Sequence, residues 1–473
     1  MTILLKNVII YASKWRDWIM FTYIKLKNFK SFKNVEINLQ EKKNMPKPLA
    51  VIYGVNGSGK TTISQAFLAL HRTMQTMQVK GMLKDILDEN LTPPEDIPFK
   101  PEVVLQILKS RLAMNGIESI IEEYKMINSD DNLSLEYEFN IEGGSGSYYI
   151  EMDSSSIVKE RLEYKVNKNR GCFFSIEDDE VYINEKIFET KEFYDLICNQ
   201  VEMYWGKHTL LSILYFEMGD KSDTYINSNI SINLMKVMMA FENINFKVPR
   251  AADGERLSVS SENEILRNLE HGVIEKKNKD KLDEVEKLLN KFFKALLNDV
   301  IKAYYKRTAK KTKIQYDLYL RKKIEDYEYD IDFQLESNGT KEILDLLPYL
   351  VSAVSGNCVI IDEYGMGVHD LLSAKLLEAI APQIKGQLIV TTHNTLLMDY
   401  ASDNNKIEPE ALYFILNNKT FKKSVKCVTE IEGRLHPNYN YRNRYFTNKL
   451  YKYYLPDICT DEINLEELAE LYR

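Results

Sequence analysis

The sequence contains no continuous run of about eighteen apolar residues, the length a membrane-spanning helix requires. No spanning helix and no membrane partner are therefore predicted. Apolar residues still make up 44% of the 473 residues, enough for sizeable cores, and the length implies two or more subdomains. The opening "MTILLKNVIIYASKWRDWIM" has no small-residue cleavage site and reads poorly as a signal peptide. Patterned sequence begins at Met20-Phe21, and the first nineteen residues are assigned no function. Cysteine is scarce: Cys172, Cys198, Cys358, Cys427 and Cys459 form an odd set with no zinc or redox spacing. A reduced, cytoplasmic protein is the natural reading. Positive charge is not in excess either. A formal net charge of −8 argues against strong non-specific nucleic-acid binding. Two basic stretches, "KAYYKRTAKKTKIQ" (302–315) and "RLHPNYNYRNRY" (434–445), read mainly as solvated surface and keep DNA among the candidate partners. There is no internal repeat, no long low-complexity tract and no helix long enough for a coiled-coil arm.

What is present is a change of hydrophobic period along the chain. "YIKLKNFKSF" and "VEINLQ" alternate as two strands with a turn near Lys33-Asn34. "LAVIY" (Leu49 to Tyr53) is a short buried strand. Ile63, Phe67, Leu70, Met74 and Met77 then recur at helical spacing, predicting an amphipathic helix from Lys60 to about Met77 whose apolar stripe is core packing. Helical pattern broken by "LTPPEDIP" fills 80–132, and five alternating runs fill 133–189 as an antiparallel sheet. Helices return over 190–307, with "KKNKDKLDEVEKLLNKFFKALLNDVIKAYYK" the clearest. After two more alternating runs, helix, "CVIID", helix, "QLIVTT" and "ALYFIL" follow in turn, which predicts a parallel sheet. The implied organisation is a core split between 20–79 and 308–430. It encloses a helical insert (80–132), a β subdomain (133–189) and a second helical insert (190–307), and a tail covers 431–473. The fold class is α/β.

"YGVNGSGKTT" carries Gly54-x4-Gly59-Lys60-Thr61, a full phosphate-loop pattern set between a buried strand and a helix. Backbone N–H groups must converge on phosphate oxygens there, so side chains are excluded at Gly54, Gly57 and Gly59. Asn56, Gly57, Ser58, Gly59, Lys60, Thr61 and Thr62 are the predicted ATP-binding residues. Lys60 reaches the β- and γ-phosphates, the Thr61 hydroxyl ligates Mg2+, and the helix N-terminus adds positive partial charge. "NCVIIDEYG" sets Asp362 and Glu363 at the end of an apolar strand: Asp362 as a magnesium ligand, Glu363 as the base that polarises water. "QLIVTTHN" places His393 just past the next strand, where it can sense the γ-phosphate. "ESNGTKEILDLL" sets Ser337 and Gly339 at a helix start, which serves equally as an anion cradle or as a plain N-cap.

These four motifs in this order resemble the ABC-type ATPases, within them the SMC-, Rad50- and OLD-like branch. "YIKLKNFKSFKNVEINL" is similar to that branch's N-terminal strand pair, and Ser337-Asn338-Gly339-Thr340 to its compact signature. "DEYGMGVHDLL" resembles its post-Walker-B segment, which would put His369 on a dimer-facing loop. More narrowly the chain resembles the stand-alone AAA-family ATPases of bacterial anti-phage and abortive-infection systems. "RNRYFTNKLYKYYLPDI" is a worn version of their C-terminal segment, with Asn448 and Lys452 near places usually held by glycine. The resemblance is good over 20–60 and 325–420 and only in kind over 80–320. The Q-loop glutamine is not placed by it. It implies a P-loop core, ATP and Mg2+, and a head-to-tail homodimer or higher homo-oligomer. One subunit would supply Lys60, Thr61, Asp362, Glu363 and His393, and the other Ser337 and Gly339.

Three functions then compete. The first is a nucleotide-gated switch that controls a separate effector, such as a nuclease or toxin, in anti-phage defence. The second is a DNA-maintenance ATPase of RecF or SMC type, which predicts long arms or a basic inner face. The third, a transporter ATPase, predicts a fuller Leu-Ser-Gly-Gly-Gln signature than "LESNGT". Eighty residues follow His393, too few for the Toprim domain of OLD nucleases, and no paired-carboxylate nuclease motif is evident.

Overall fold

The computed structural model describes residues 18–77, 116–178, 180–219, 221–248, 263–403, 406–418, 420, 422–433 and 440–447. "LTPPEDIP", most of the 80–132 insert, residues 434–439 and the chain after Thr447 lie outside the described residues.

Strands β1 (Ile19–Phe29) and β2 (Phe32–Asn38) pair antiparallel. Their turn falls at Lys30-Ser31 rather than at Lys33-Asn34. Asn28 and Lys30 adopt positive φ there, and Lys30 N–H donates to the Tyr124 carbonyl at 2.7 Å. The strand also begins inside the segment given no function: Ile19 is buried, and the Trp18 ring lies where a Cβ on Gly356 would fall. A small ribbon, β3 (Gln40–Lys42) and β4 (Met45–Pro46), leads to β5 (Leu49–Tyr53), buried at every residue.

Helix α1 (Lys60–Thr73) follows the glycine-rich loop. Only Thr61 of its residues is not buried, so it is enclosed all round rather than amphipathic, and it ends before Met74 and Met77. Two sheets enclose it. On one side Phe21 meets Phe67 edge-on at 5.0 Å, and Tyr137 Oη donates to the Ala66 carbonyl at 2.7 Å. The other side faces β5 and its neighbours.

After α2 (Ile117–Tyr124) come β6 (Leu133–Ile141), β7 (Gly144–Met152), β8 (Ile157–Val166), β9 (Asn169–Glu177) and β10 (Glu180–Ile183). They do not make a free-standing sheet. β6 pairs with β1, with Leu26 opposite Leu135 and Ile24 opposite Tyr137, giving one seven-stranded antiparallel sheet in the order β10-β9-β8-β7-β6-β1-β2. The apolar alternation of β6 matches that of β1, and burying both faces' edges together removes two exposed strand edges.

Helices α3 (Lys191–Tyr204), α4 (Leu210–Met218), α5 (Asp223–Asn229) and α6 (Ile232–Glu242) lead to β11 (Asn245–Lys247). The 190–307 interval is thus not wholly helical. Beyond α7 (Glu264–Arg267) it contains β12 (His271–Glu275), and α8 (Lys279–Leu296) gives way to β13 (Val300–Ala309). Leu282, Val285, Leu289 and Phe293 line one face of α8. They form a second, smaller core with Tyr305, Tyr316, Leu318 and Leu320 of β13 and β14 (Lys313–Ile324), and β15 (Tyr327–Asp332) pairs with β14. The basic stretch 302–315 is therefore sheet, and its Arg307 pairs with Asp283 and with Glu286 at 2.8 Å.

The remainder builds the central sheet: α9 (Asn338–Ser355), β16 (Cys358–Ile361), α10 (Asp370–Ile380), β17 (Gln387–Thr391), α11 (Leu396–Asp403), β18 (Leu412–Asn417), β19 (Lys423–Cys427), then α12 (Val428–Glu432) and α13 (Tyr441–Phe446). The order is β11-β16-β17-β5-β18-β19, all parallel except the edge strand β19. Layers cover both faces, which is why these strands read as unbroken apolar runs. Buried Gln387 ties the two sheets together. Its Oε1 accepts from Phe21 N–H at 2.7 Å, and its Nε2 donates to the carbonyls of Phe21 and Lys47 at 2.9 and 3.0 Å.

Candidate functional site

The loop between β5 and α1 emerges at the carboxyl edge of a parallel sheet, where crevices for ligands form. Gly57 and Gly59 have φ of 75° and 118°, left-handed values that glycine adopts without strain. A Cβ on Gly59 would also fall 2.6 Å from the Phe32 ring. Phe32, the first residue of β2, thus supports the loop from beneath. Asn56 and Gly57 are exposed at the rim, whereas Ser58, Lys60 and Thr62 are buried and Thr61 is half-buried. The Lys60 ammonium donates to the carbonyls of Gly54 at 2.7 Å and Val55 at 3.3 Å. Burial lowers its pKa, and the charges of Asp362 and Glu363 oppose that shift.

Asp362 is 6% exposed, at the end of β16. Its Oδ1 accepts from Thr391 Oγ1 at 2.6 Å and from Ser64 Oγ at 3.2 Å. Its Oδ2 is buried without a hydrogen-bond partner among the described residues. A buried carboxylate oxygen of this kind is costly unless a cation or donor meets it. A magnesium ion fits it, with the Thr61 hydroxyl on the adjoining first turn of α1. Strand β11 supports the same strand end: the Lys247 carbonyl accepts from Asp362 N–H at 2.9 Å, while its ammonium pairs with Glu342 on α9.

Glu363 is half-buried and holds φ at 54°, a left-handed value that costs a non-glycine residue roughly 1 kcal/mol or more. Thr391 holds it there. Its Oγ1 accepts from Glu363 N–H at 2.9 Å and its carbonyl from Tyr364 N–H at 2.7 Å. The strained backbone directs the chain into the Tyr364–His369 turn.

His393 is exposed just beyond β17. Partial burial, then the Lys60 charge, push its pKa down; Glu363 and Asp362 oppose this. The imidazole is therefore held toward its neutral form. Asn394 anchors it: Nδ2 donates to the Asp370 carbonyl at 2.7 Å and to Ser373 Oγ at 2.8 Å, fixing the turn to the start of α10. Lys60, Asp362, Glu363 and His393, far apart in sequence, thus lie within one field of charge.

Ser337 and Gly339 are not in that cluster. Ser337 is exposed and caps α9, its Oγ accepting from Thr340 N–H at 3.2 Å. Gly339 lies against the Tyr364–His369 turn, where a Cβ would fall 2.9 Å from the Gly367 carbonyl oxygen. Among the described residues no hydrogen bond joins either one to Lys60 or Asp362. His369 is likewise a helix cap here, its Nδ1 accepting from Leu371 N–H at 3.3 Å.

Sequence reasoning missed Ser64, Thr391, Asn394 and Lys247. The first turn of α1 and the Thr-Thr-His-Asn run carried a signal, since small polar residues beside a predicted phosphate site invite supporting roles. Lys247 carried none, because only sheet order brings β11 beside β16.

The chain matches two family models. One, described as "AAA domain", covers residues 23–75. The other, described as "AAA domain, putative AbiEii toxin, Type IV TA system", covers residues 221–399. No curated protein matches. Among solved structures, the chain is similar to the SMC head domain from Thermotoga maritima, at 13% identity and a TM-score of 0.36, covering 86% of this chain and 98% of that one. It is also similar to an Smc head bound to the C-winged helix domain of ScpA (14% identity, TM-score 0.42, coverage 86% and 97%). A third is the recombination mediator RecF with ATP (10% identity, TM-score 0.31, coverage 79% and 93%). The chain is an α/β protein whose phosphate loop and whose Asp362–Glu363 and His393 motifs fall within the two AAA-domain matches.

Proposed function

We propose that this chain is an ATP-hydrolysing switch of ABC type, and that it works as a head-to-tail dimer. The observation that carries the reading is the convergence of Lys60, the buried and half-satisfied Asp362, the strained Glu363 and the anchored His393 on one phosphate loop. Lys60 holds the β- and γ-phosphates. Asp362 and Thr61 would hold magnesium, which supplies charge neutralisation to the transferred phosphate. Glu363 takes a proton from the attacking water, and neutral His393 donates to or contacts the terminal phosphate. Ser337 and Gly339 act on the nucleotide of a second copy. The exposed N-terminus of α9 supports this, since it carries positive partial charge and, among the described residues, no hydrogen bond ties Ser337 or Gly339 to Lys60 or Asp362. Contacts made only with the γ-phosphate then bias the closed dimer, and hydrolysis releases it.

The purpose we propose is control of a separate effector in bacterial anti-phage defence. The AbiEii-type description of the model matching 221–399 is the support for it. The alternative is a DNA-maintenance ATPase of RecF or SMC type. No helix among the described residues is long and apolar enough to cross a membrane, which fits either reading. The purified chain is expected to turn over ATP with magnesium, to dimerise with ATP, and to leave DNA and RNA uncut. Metal-dependent cleavage that survives Lys60→Ala would overturn the effector reading. ATP turnover stimulated severalfold by DNA would favour the alternative.

A further inference from the structure

We propose that Lys423, the first residue of edge strand β19, binds the nucleoside side of the nucleotide, as a second cation at the phosphate loop. The inference rests on the ATP-site reading above and extends it to a strand that no motif covers.

Sheet order gives the direction. Asp362, Glu363 and His393 end β16 and β17, on one flank of β5. The terminal phosphate and its hydrolysis belong to that flank. The nucleoside end must then run toward the opposite flank, formed by β18, β19 and the β1–β2 turn. β19 is antiparallel to β18, with Lys423 opposite Asn417, so Lys423 is carried to the same carboxyl edge as the phosphate loop. Its ammonium donates to the Gly57 carbonyl at 3.1 Å and to Ser31 Oγ at 3.0 Å. It also stands 5.6 Å from the centre of the Phe32 ring, the ring that supports Gly59.

Three features mark this lysine as a ligand group rather than a surface charge. It is half-buried, and burial alone depresses its pKa, with no carboxylate among the described residues to compensate. An ammonium has three donors, and two are used among the described residues. Its location beside an anion-binding loop supplies the compensation it lacks: a phosphate oxygen accepting the third donor forms a charge-assisted hydrogen bond. The contact lies away from the γ-phosphate, so it is made to ADP as well as to ATP. Lys423 therefore sets affinity for the nucleotide, whereas Asp362, Glu363 and His393 respond to the terminal phosphate.

The test is titration of the full chain with Mg-ATP and with Mg-ADP by calorimetry, for wild type, Lys60→Ala, Lys423→Met, Lys423→Gln and Lys423→Arg. Circular dichroism confirms that each is folded. Lys423→Met and Lys423→Gln are expected to weaken both nucleotides by about tenfold, the scale of one charge-assisted contact. In turnover the loss should fall in KM rather than kcat. Lys423→Arg should stay within about threefold of wild type, since it keeps the charge. Wild-type affinity in Lys423→Gln, which keeps a neutral donor toward Gly57 and Ser31, would reduce Lys423 to a loop tether and overturn the proposal. So would weakening confined to ATP. In both cases normal wild-type binding that Lys60→Ala abolishes leaves the ATP-site reading intact. A wild-type chain that binds neither nucleotide overturns both.

Discussion

The two ends of the proposed nucleotide site are built in opposite ways. At the phosphate loop, polar atoms are buried and interlocked. Thr391 serves Asp362 with its hydroxyl hydrogen and Glu363 and Tyr364 with its oxygens, and Lys60 is enclosed by its own loop. At the start of α9, Ser337 is exposed and satisfies only its own helix. Burial makes a charge expensive unless it is met by a ligand, so the first end suits the phosphate and metal proposed for it. The second end is prepared for nothing its own chain provides. Its helix terminus is complete as structure, and under the proposed dimer its contact would come from a second copy.

The largest effect should follow from removing the buried cation. Lys60→Ala is expected to abolish ATP binding or turnover, because under the proposed reading its ammonium is the main side-chain charge on the β- and γ-phosphates. Turnover at the wild-type rate in that variant would sink the phosphate-loop reading. Next, Glu363→Gln should still bind ATP but hydrolyse it at least about a hundredfold more slowly, consistent with losing a general base. Its ATP-bound dimer should accumulate on a sizing column. If turnover is unaffected, the strained φ at Glu363 serves the turn and not the chemistry.

Ser337→Arg tests the other end. Nucleotide binding should persist while dimer-dependent hydrolysis falls by about tenfold or more, as bulk enters the partner's site. Mixing it with Lys60→Ala should restore part of the activity, since one composite site per heterodimer is whole. Gly339→Asp is a less clean probe, because its Cβ would press on the Gly367 carbonyl at 2.9 Å within the same chain. Loss of ATP binding in Ser337→Arg would show that the two ends are not separate. A smaller change is expected from Thr391→Val, which removes one hydroxyl from both Asp362 and Glu363. Turnover should drop by about tenfold, the scale of one or two hydrogen bonds. Unaltered kcat would mean that strand packing alone sets those carboxylates.

The last effect is on stability and involves neither end. Glu160 on β8 is fully buried, and burial raises its carboxyl pKa from 4.5 to about 7 although Leu210 N–H, Tyr148 and Trp205 donate to it. A raised carboxyl pKa means the folded chain holds this proton more tightly than the unfolded one. Its contribution is complete below about pH 4.5 and is lost as pH rises through about 7. The folded chain should thus lose stability between pH 5 and pH 8, by on the order of 3 kcal/mol at the full shift. Urea denaturation of wild type and Glu160→Gln at both pH values checks this. An equal slope in the variant would assign the loss to other groups.

Much of the site was legible because its chemistry is local. Gly54-x4-Gly59-Lys60-Thr61 needs only adjacent residues to shape a loop, and Asp362, Glu363 and His393 each end an apolar run whose length marks a strand end. The periodicity of 133–189 likewise announced strands. What the sequence could not carry was which strand lies beside which. Local alternation does not say that β6 continues β1, that β11 flanks Asp362, or that β19 brings Lys423 to Gly57. Nor could it tell that α1 is enclosed on all sides, since a helix between two sheets and a helix on a surface share the same stripe. The 302–315 run read as basic surface, and its lysines are exposed; that it is sheet with Arg307 paired to α8 follows from alternating Tyr and aliphatic residues that bury its other face. Local motifs fix the chemistry a residue can perform, through backbone shape and side-chain type. Neighbours distant in sequence fix whether that chemistry is supported, because pairing and burial are summed over contacts that only the folded chain makes.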